Sequence, residues 1–217
     1  MNDRYPLYDV LSKRETPSWN EQTRRVVDKR VATLPDEHAF FSDEEWPTVR
    51  AICARITPQP ADRPQPAPVA ALVDEKLHKD HGDGYRNARL PRQRDAWRRG
   101  LAAIDAEARL RHRARFHELK PEAQDEILKS VEEGKAQAAE WGDMPPKLFF
   151  SDRLLHDAVT AYYACPVAWN EIGFGGPASP RGYVRTNFDR RDHWEASEAR
   201  PGREEPAARE NASVGKF

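Results

Sequence analysis

Cysteine is scarce in this chain, long apolar runs are missing, and neither sign of charge dominates; each shortage closes off a class of protein. Two cysteines, Cys53 and Cys165, among 217 residues make neither a disulfide framework nor a thiolate metal knuckle. Two buried free thiols is the simpler reading. No stretch approaches the ~20 apolar residues that span a bilayer, which argues against direct membrane insertion. Residues 1–30 are charged throughout and lack the apolar core of a signal peptide. Arg24-Arg25 runs into Val26-Val27-Asp28-Lys29-Arg30, where a twin-arginine signal needs a long apolar stretch. On its own sequence the chain therefore reads as cytoplasmic. A net charge of −1 gives no global electrostatic reason to bind nucleic acid or an anionic membrane. Apolar residues reach 38% against 33% charged, with 18 prolines. That is a lean core for the length, flanked by solvated or partner-bound segments.

What is present is helical. Residues 1–17 form an extended arm in which Tyr5, Leu7, Tyr8, Val10 and Leu11 keep no period; apolar residues in so short an arm lie against something else. Ser18 with Glu21 fits a capping box ahead of Trp19, Val26, Val27, Val31 and Leu34, and Pro35 stops that helix. Ser42 with Glu45 caps the next, with Trp46, Val49, Cys53 and Ile56 as its apolar stripe. PQPADRPQPAP at 58–68 predicts an extended linker. A short helix follows over Val69–Lys79, then a turn at His81-Gly82-Asp83-Gly84. Trp97, Leu101, Ile104 and Ala108 step along a strong amphipathic helix, and Pro121 to Gly134 bounds another with Ile127, Leu128 and Val131 inside. The last, from Pro146 to Tyr163, is apolar nearly all round and reads as central. No segment of useful length has strand period. The fold class is all-α: a small irregular helical domain of about five to six helices with an N-terminal arm and a C-terminal tail. The expected division is 1–37, arm and first helix; 38–185, helical domain; and 186–217, a charged tail, disordered or wrapped on a partner through Phe188 and Trp194.

Catalytic constellations are thin. His78 and His81, with Asp80 and Asp83 beside them, lack further ligands to complete a metal shell. Cys165 follows the last helix, where the negative dipole end opposes a thiolate. His156 lies nine residues upstream, about 13 Å along the axis. Gly173-Phe174-Gly175-Gly176-Pro177 resembles a phosphate loop only superficially, because it follows a helix and Pro177 removes an amide. Arg86 to Arg115 holds ten arginines against three acids. That is an opening for a nucleic-acid module, though a salt-bridged or solvated face explains it as well. A stand-alone enzyme using His156 or the His78/His81 pair is the other rival reading.

Several segments in order carry a resemblance: FFSDEEWPTVRAICARITPQP, WRRGLAAIDAEAR, FHELKPEAQDEILKSVEEG and FFSDRLLHDAVTAYYACPVAWNEIGFGGPASPRGYV. Over roughly residues 38–185 the chain resembles the gluconate 2-dehydrogenase subunit 3 family. These are small subunits of heteromeric FAD-dependent sugar and alcohol dehydrogenases whose catalytic subunit is of the glucose–methanol–choline (GMC) type. The resemblance implies a non-catalytic, chaperone-like accessory subunit, with FAD in the partner and no cofactor, catalytic residue or metal ligand in this chain. A cytochrome c subunit takes the electrons in many such assemblies. The chain opens on an arm, YPLYDVLSKRETPSWNEQTRR, where relatives commonly carry a twin-arginine signal. The implied role is therefore structural or assembly-related, with periplasmic placement open to co-export on a signal-bearing partner. The candidate docking residues are Tyr5, Leu7, Tyr8 and Trp19 of the arm, with Trp169, Asn170, Phe174, Gly175, Gly176, Pro177 and Tyr183 of the glycine-rich turn.

Overall fold

The computed structural model describes residues 4–179, 182, 192 and 194–216. A 3-10 turn (Val10–Lys13) precedes α1 (Glu21–Ala32), α2 (Trp46–Ile56), α3 (Val69–His78) and α4 (Gln93–His112). After a 3-10 turn at Phe116–Glu118 come α5 (Pro121–Glu132), a 3-10 turn at Ala139–Trp141, and α6 (Pro146–Phe149). A π-helical segment (Phe150–Leu155) runs directly into α7 (His156–Tyr163), followed by α8 (Pro166–Ile172) and α9 (Glu204–Ala212). The described residues contain no strand beyond an isolated parallel bridge between Trp19 and Ser179. The fold is all-α. None of the helices is long and apolar enough to cross a membrane, among the described residues.

Two compact units divide the chain: Leu34–Tyr162, and Met1–Thr33 together with Tyr163–Phe217. The division differs from arm, domain and tail, because the two flanking stretches fold with each other.

In the contiguous unit, α4 packs against α2, α5, α6, the π segment and the turn at Ala139–Trp141. Trp97 stands edge-on to Phe41 (5.8 Å) and to Phe149 (5.9 Å), and Phe149 also meets Trp141 at 5.7 Å. Gly100 lets this cluster close on α4, since a Cβ there would lie 2.1 Å from Cζ of Phe149. The π turn has a matching purpose. Its i→i+5 repeat brings residues five apart onto one face, so Phe149 and Leu154 are both fully buried. In the turn leading into α2 the Ser42–Glu45 box forms one turn earlier than the helix itself: Ser42 N–H donates to Glu45 Oε2 (2.9 Å) and Glu45 N–H to Ser42 Oγ (3.3 Å).

Loops in this unit are fastened by buried carboxylates on helices. Asp74 of α3 accepts from the backbone N–H groups of Ala39, Phe40 and Phe41. Asp105 of α4 accepts from Thr48 Oγ1, the Arg115 guanidinium and Phe116 N–H. Glu107 takes the N–H groups of Gln137 and Ala138 and pairs with Arg111. Each carboxylate thereby replaces the water it loses, the condition for burying a charge. The proline-rich stretch is a tied loop rather than an extended spacer: Ala67 N–H donates to Gln59 Oε1 (2.7 Å), and Gln59 Nε2 donates back to Ala67 O (3.0 Å).

The other unit surrounds an aromatic cluster of Tyr8, Val10, Trp19, Val27, Trp169, Trp194 and Val214, with Tyr5, Leu11 and Ala196 against it. Members come from the arm, α1, α8 and the tail. Helix α1 is capped by Asn20, whose Oδ1 accepts from Thr23 N–H at 2.9 Å, and not by Ser18. Ser18 is buried instead as the acceptor for Lys13 Nζ. The tail carries α9, tied down by Asn211, which donates to Pro6 O and Ser197 O (both 2.9 Å) and accepts from Ser197 N–H.

Candidate functional site

The glycine-rich turn begins at the end of α8. Pro166 sits in the first turn of that helix, where its missing N–H costs nothing, so the chain restarts a helix after Cys165. Gly173 ends it in the left-handed conformation (φ 66°), and Phe174 N–H closes back to Trp169 O at 2.9 Å. A Cβ on Gly173 would stand 2.4 Å from the Tyr5 ring; one on Gly176 would meet Trp169 at 3.0 Å and Trp19 at 3.2 Å. These glycines thus admit aromatic rings against backbone.

The candidate docking residues separate into two sets. Tyr8, Trp19 and Trp169 turn inward and form the core of their own unit. Tyr8 Oη donates to Trp194 O (3.3 Å), and Trp169 Nε1–H to Tyr163 O (2.6 Å). Asn170 pins the arm by accepting from Val10 N–H at 2.8 Å. Tyr5 is half-buried over Gly173, Gly176 is buried, and Gly175 and Pro177 are half-buried. Leu7, at 70% exposure, and Phe174, at 38%, face outward. Phe174 stands edge-on to Trp169 at 5.9 Å, so its exposed face is held rigidly. Ile172 and Tyr163 of the same unit are also exposed. Tyr183 lies outside the described residues, as does Phe188 of the tail.

Sequence reading missed Lys13. This lysine is almost wholly buried, with Nζ 3.1 Å from Ser18 Oγ and 5.3 Å from the centroid of the Trp19 ring. It lines a cavity of about 240 Å³ with Gly173, Phe174, Gly175, Gly176, Trp194 and Glu195. Burial pushes its pKa down to about 8, countered in part by Glu195. No local signal marks it, since Lys13 is followed by Arg14 and Glu15 in an arm that is charged throughout.

Elsewhere, Asp83, His156 and Asp157 bring ligand atoms within 4.8 Å of one another. Their charge is already balanced by protein cations. Lys76 Nζ lies 2.6 Å from Asp83 and 2.9 Å from Asp157, and Arg153 lies 2.9 Å from Asp83. Gln93 and Trp97 Nε1–H also donate to Asp157, at 3.1 and 2.7 Å. The arginine run is similarly engaged: Arg98 with Glu45, Arg99 with Asp143, Arg111 with Glu107 and Arg115 with Asp105. Cys165 lies two residues past the end of α7 and also stands as the N-cap of the short α8, whose dipole favours a thiolate. Burial outweighs this and pushes the thiol up to about 11, while Cys53 is pushed up to about 12 by burial and by Asp157. Both thiols are free and buried.

Among known proteins, the family model described as gluconate 2-dehydrogenase subunit 3 matches residues 43–176. No curated protein and no solved structure matches.

Proposed function

Because the chain belongs to the gluconate 2-dehydrogenase subunit 3 family, we propose that it is the small accessory subunit of a heteromeric dehydrogenase. In this reading it binds and stabilises a FAD-dependent, GMC-type sugar or alcohol dehydrogenase subunit, or assists its maturation. Flavin and substrate reside on that partner, and a cytochrome c subunit is a candidate third member. The observation that carries the proposal is the match over residues 43–176, which covers most of the contiguous helical unit and the glycine-rich turn as far as Gly176. The surface chemistry is compatible. Rigidly held, outward-facing apolar groups such as Phe174 have little conformational entropy left to lose on docking. Leu7, Ile172 and Tyr163 supply further apolar surface on the same unit.

Co-expression with a GMC-type flavoprotein, followed by size-exclusion chromatography with absorbance at flavin wavelengths, tests this. A co-eluting yellow heteromer is expected, and a colourless chain that never co-elutes would refute it. For the surface, Phe174→Ala is the clean probe, expected to weaken the heteromer at least tenfold with the fold intact. Trp169→Ala is a poor one, since it removes core.

A further inference from the structure

The 3-10 turn Val10–Lys13 delivers a lysine into the interior of its unit, and the role proposed above makes no use of it. Lys13 is 2% exposed, where lysine is ordinarily a surface residue. Among the described residues its Nζ has one hydrogen-bond partner, Ser18 Oγ at 3.1 Å, against the three donors of an ammonium group. Beside it lies the cavity of about 240 Å³, below the ~300 Å³ at which pockets for drug-sized ligands begin. Gly175 keeps the wall close, since a Cβ there would stand 3.6 Å from Nζ. Asp192 and Glu195 line the same space, so it disfavours an anionic guest.

The amine is chemically unlike a surface lysine. With its pKa held at about 8, it is neutral roughly 300 times more often at pH 7 than a lysine near 10.5. A desolvated, part-neutral lysine facing a small cavity is the arrangement by which proteins condense with carbonyl compounds.

We infer that Lys13 is a covalent binding site for a small neutral aldehyde or ketone, held as an imine on Nζ. The Nζ lone pair adds to the carbonyl carbon to give a carbinolamine. The carbonyl oxygen then leaves as water, taking up the two amine protons, and the C=N bond forms with no change of oxidation state. Ser18 Oγ, already bonded to Nζ, is placed to pass a proton during that exchange. Trp194 and Phe174 supply apolar wall, and the glycine turn supplies close backbone.

The test is reductive trapping on the full chain, with glyceraldehyde and sodium cyanoborohydride at pH 7.5 and peptide mass spectrometry as the readout. Lys13 is expected to be alkylated at least tenfold faster than Lys135, which is 72% exposed. Its rate is expected to level off through about pH 8, and the two lysines should label alike in urea. Labelling of Lys13 no faster than Lys135 in the folded chain, or a rate still climbing past about pH 10 as for a free lysine, would overturn the assignment. Glyoxylate presents the same carbonyl with a negative charge and is expected to label Lys13 more slowly; faster labelling would refute the neutral-guest reading. No partner subunit is required, so failure here leaves the accessory role untouched.

Discussion

Gly100→Ala sets two effects of opposite sign against each other, and the geometry decides between them. In a mid-helix position alanine is favoured over glycine by about 1 kcal/mol. At Gly100 the added Cβ would lie 2.1 Å from Cζ of Phe149, and 2.4 and 2.5 Å from Cε2 and Cε1. Carbon atoms pack at ~3.5–4.0 Å, so ring and helix must separate by about 1.5 Å. The ring has nowhere to swing, being fully buried between Trp97 and Trp141. Overpacking of this kind costs ~1–3 kcal/mol, and a boxed-in aromatic belongs at the upper end. The expected net loss is about 1–2 kcal/mol, or roughly 2–8 °C in melting temperature for a chain of this size. Urea unfolding gives the free energy, and near-UV circular dichroism reports the indole packing. Because the contact is pairwise, Phe149→Leu should cost less in the Gly100→Ala background than in the native chain. A Gly100→Ala protein as stable as the parent, with unchanged near-UV signal, would refute the close approach.

Asp74→Asn leaves the backbone N–H groups of Ala39, Phe40 and Phe41 facing an amide that itself donates; a loss of about 2–3 kcal/mol in urea unfolding is expected. Lys13 gives a pH signature of known sign. Its folded pKa of about 8 lies below the unfolded value of 10.5, so the unfolded chain binds more protons between the two, and stability rises with pH across that window by roughly 3 kcal/mol. Comparing urea midpoints at pH 8 and 10.5 checks this, and Lys13→Met should flatten the difference. Cys53 and Cys165, pushed up to about 12 and 11, should resist iodoacetamide at pH 8 in the folded chain and react once it is unfolded.

The legible part of this molecule was its local part. The bounds of α2, α3 and α5 follow from prolines, glycines and the Ser42–Glu45 box, because those signals act within one turn of the chain. Cys165-Pro166 read as an ending because proline cannot continue a helix, yet it equally well starts one, and α8 went unseen. The tail read as disordered or partner-bound because α9 is charged and contains Pro206 in its first turn; what holds it is Asn211 and Val214, a few contacts that composition does not weigh. Long-range pairings were invisible. Apolar arm residues had to lie against something, but no local rule names Trp194 and Val214 as that something. The buried acids Asp74, Asp105, Glu107 and Asp157 look like surface acids in sequence, since most of their partners lie ten to eighty-one positions away.

The joining of Met1–Thr33 with Tyr163–Phe217 in one unit sets a timetable for synthesis. The arm leaves the ribosome ahead of the rest of its unit and then has no native companion until more than a hundred further residues are made, roughly six to twenty-five seconds at ordinary elongation rates. During that interval Tyr8, Val10 and Trp19 are exposed side chains, while Leu34–Tyr162 is contiguous and can complete its own core. Trimming the chain to residues 43–176 would create the converse defect, keeping Trp169 and most of the glycine turn but deleting the arm and tail they pack with. Recombinant work on this protein should start from the full chain.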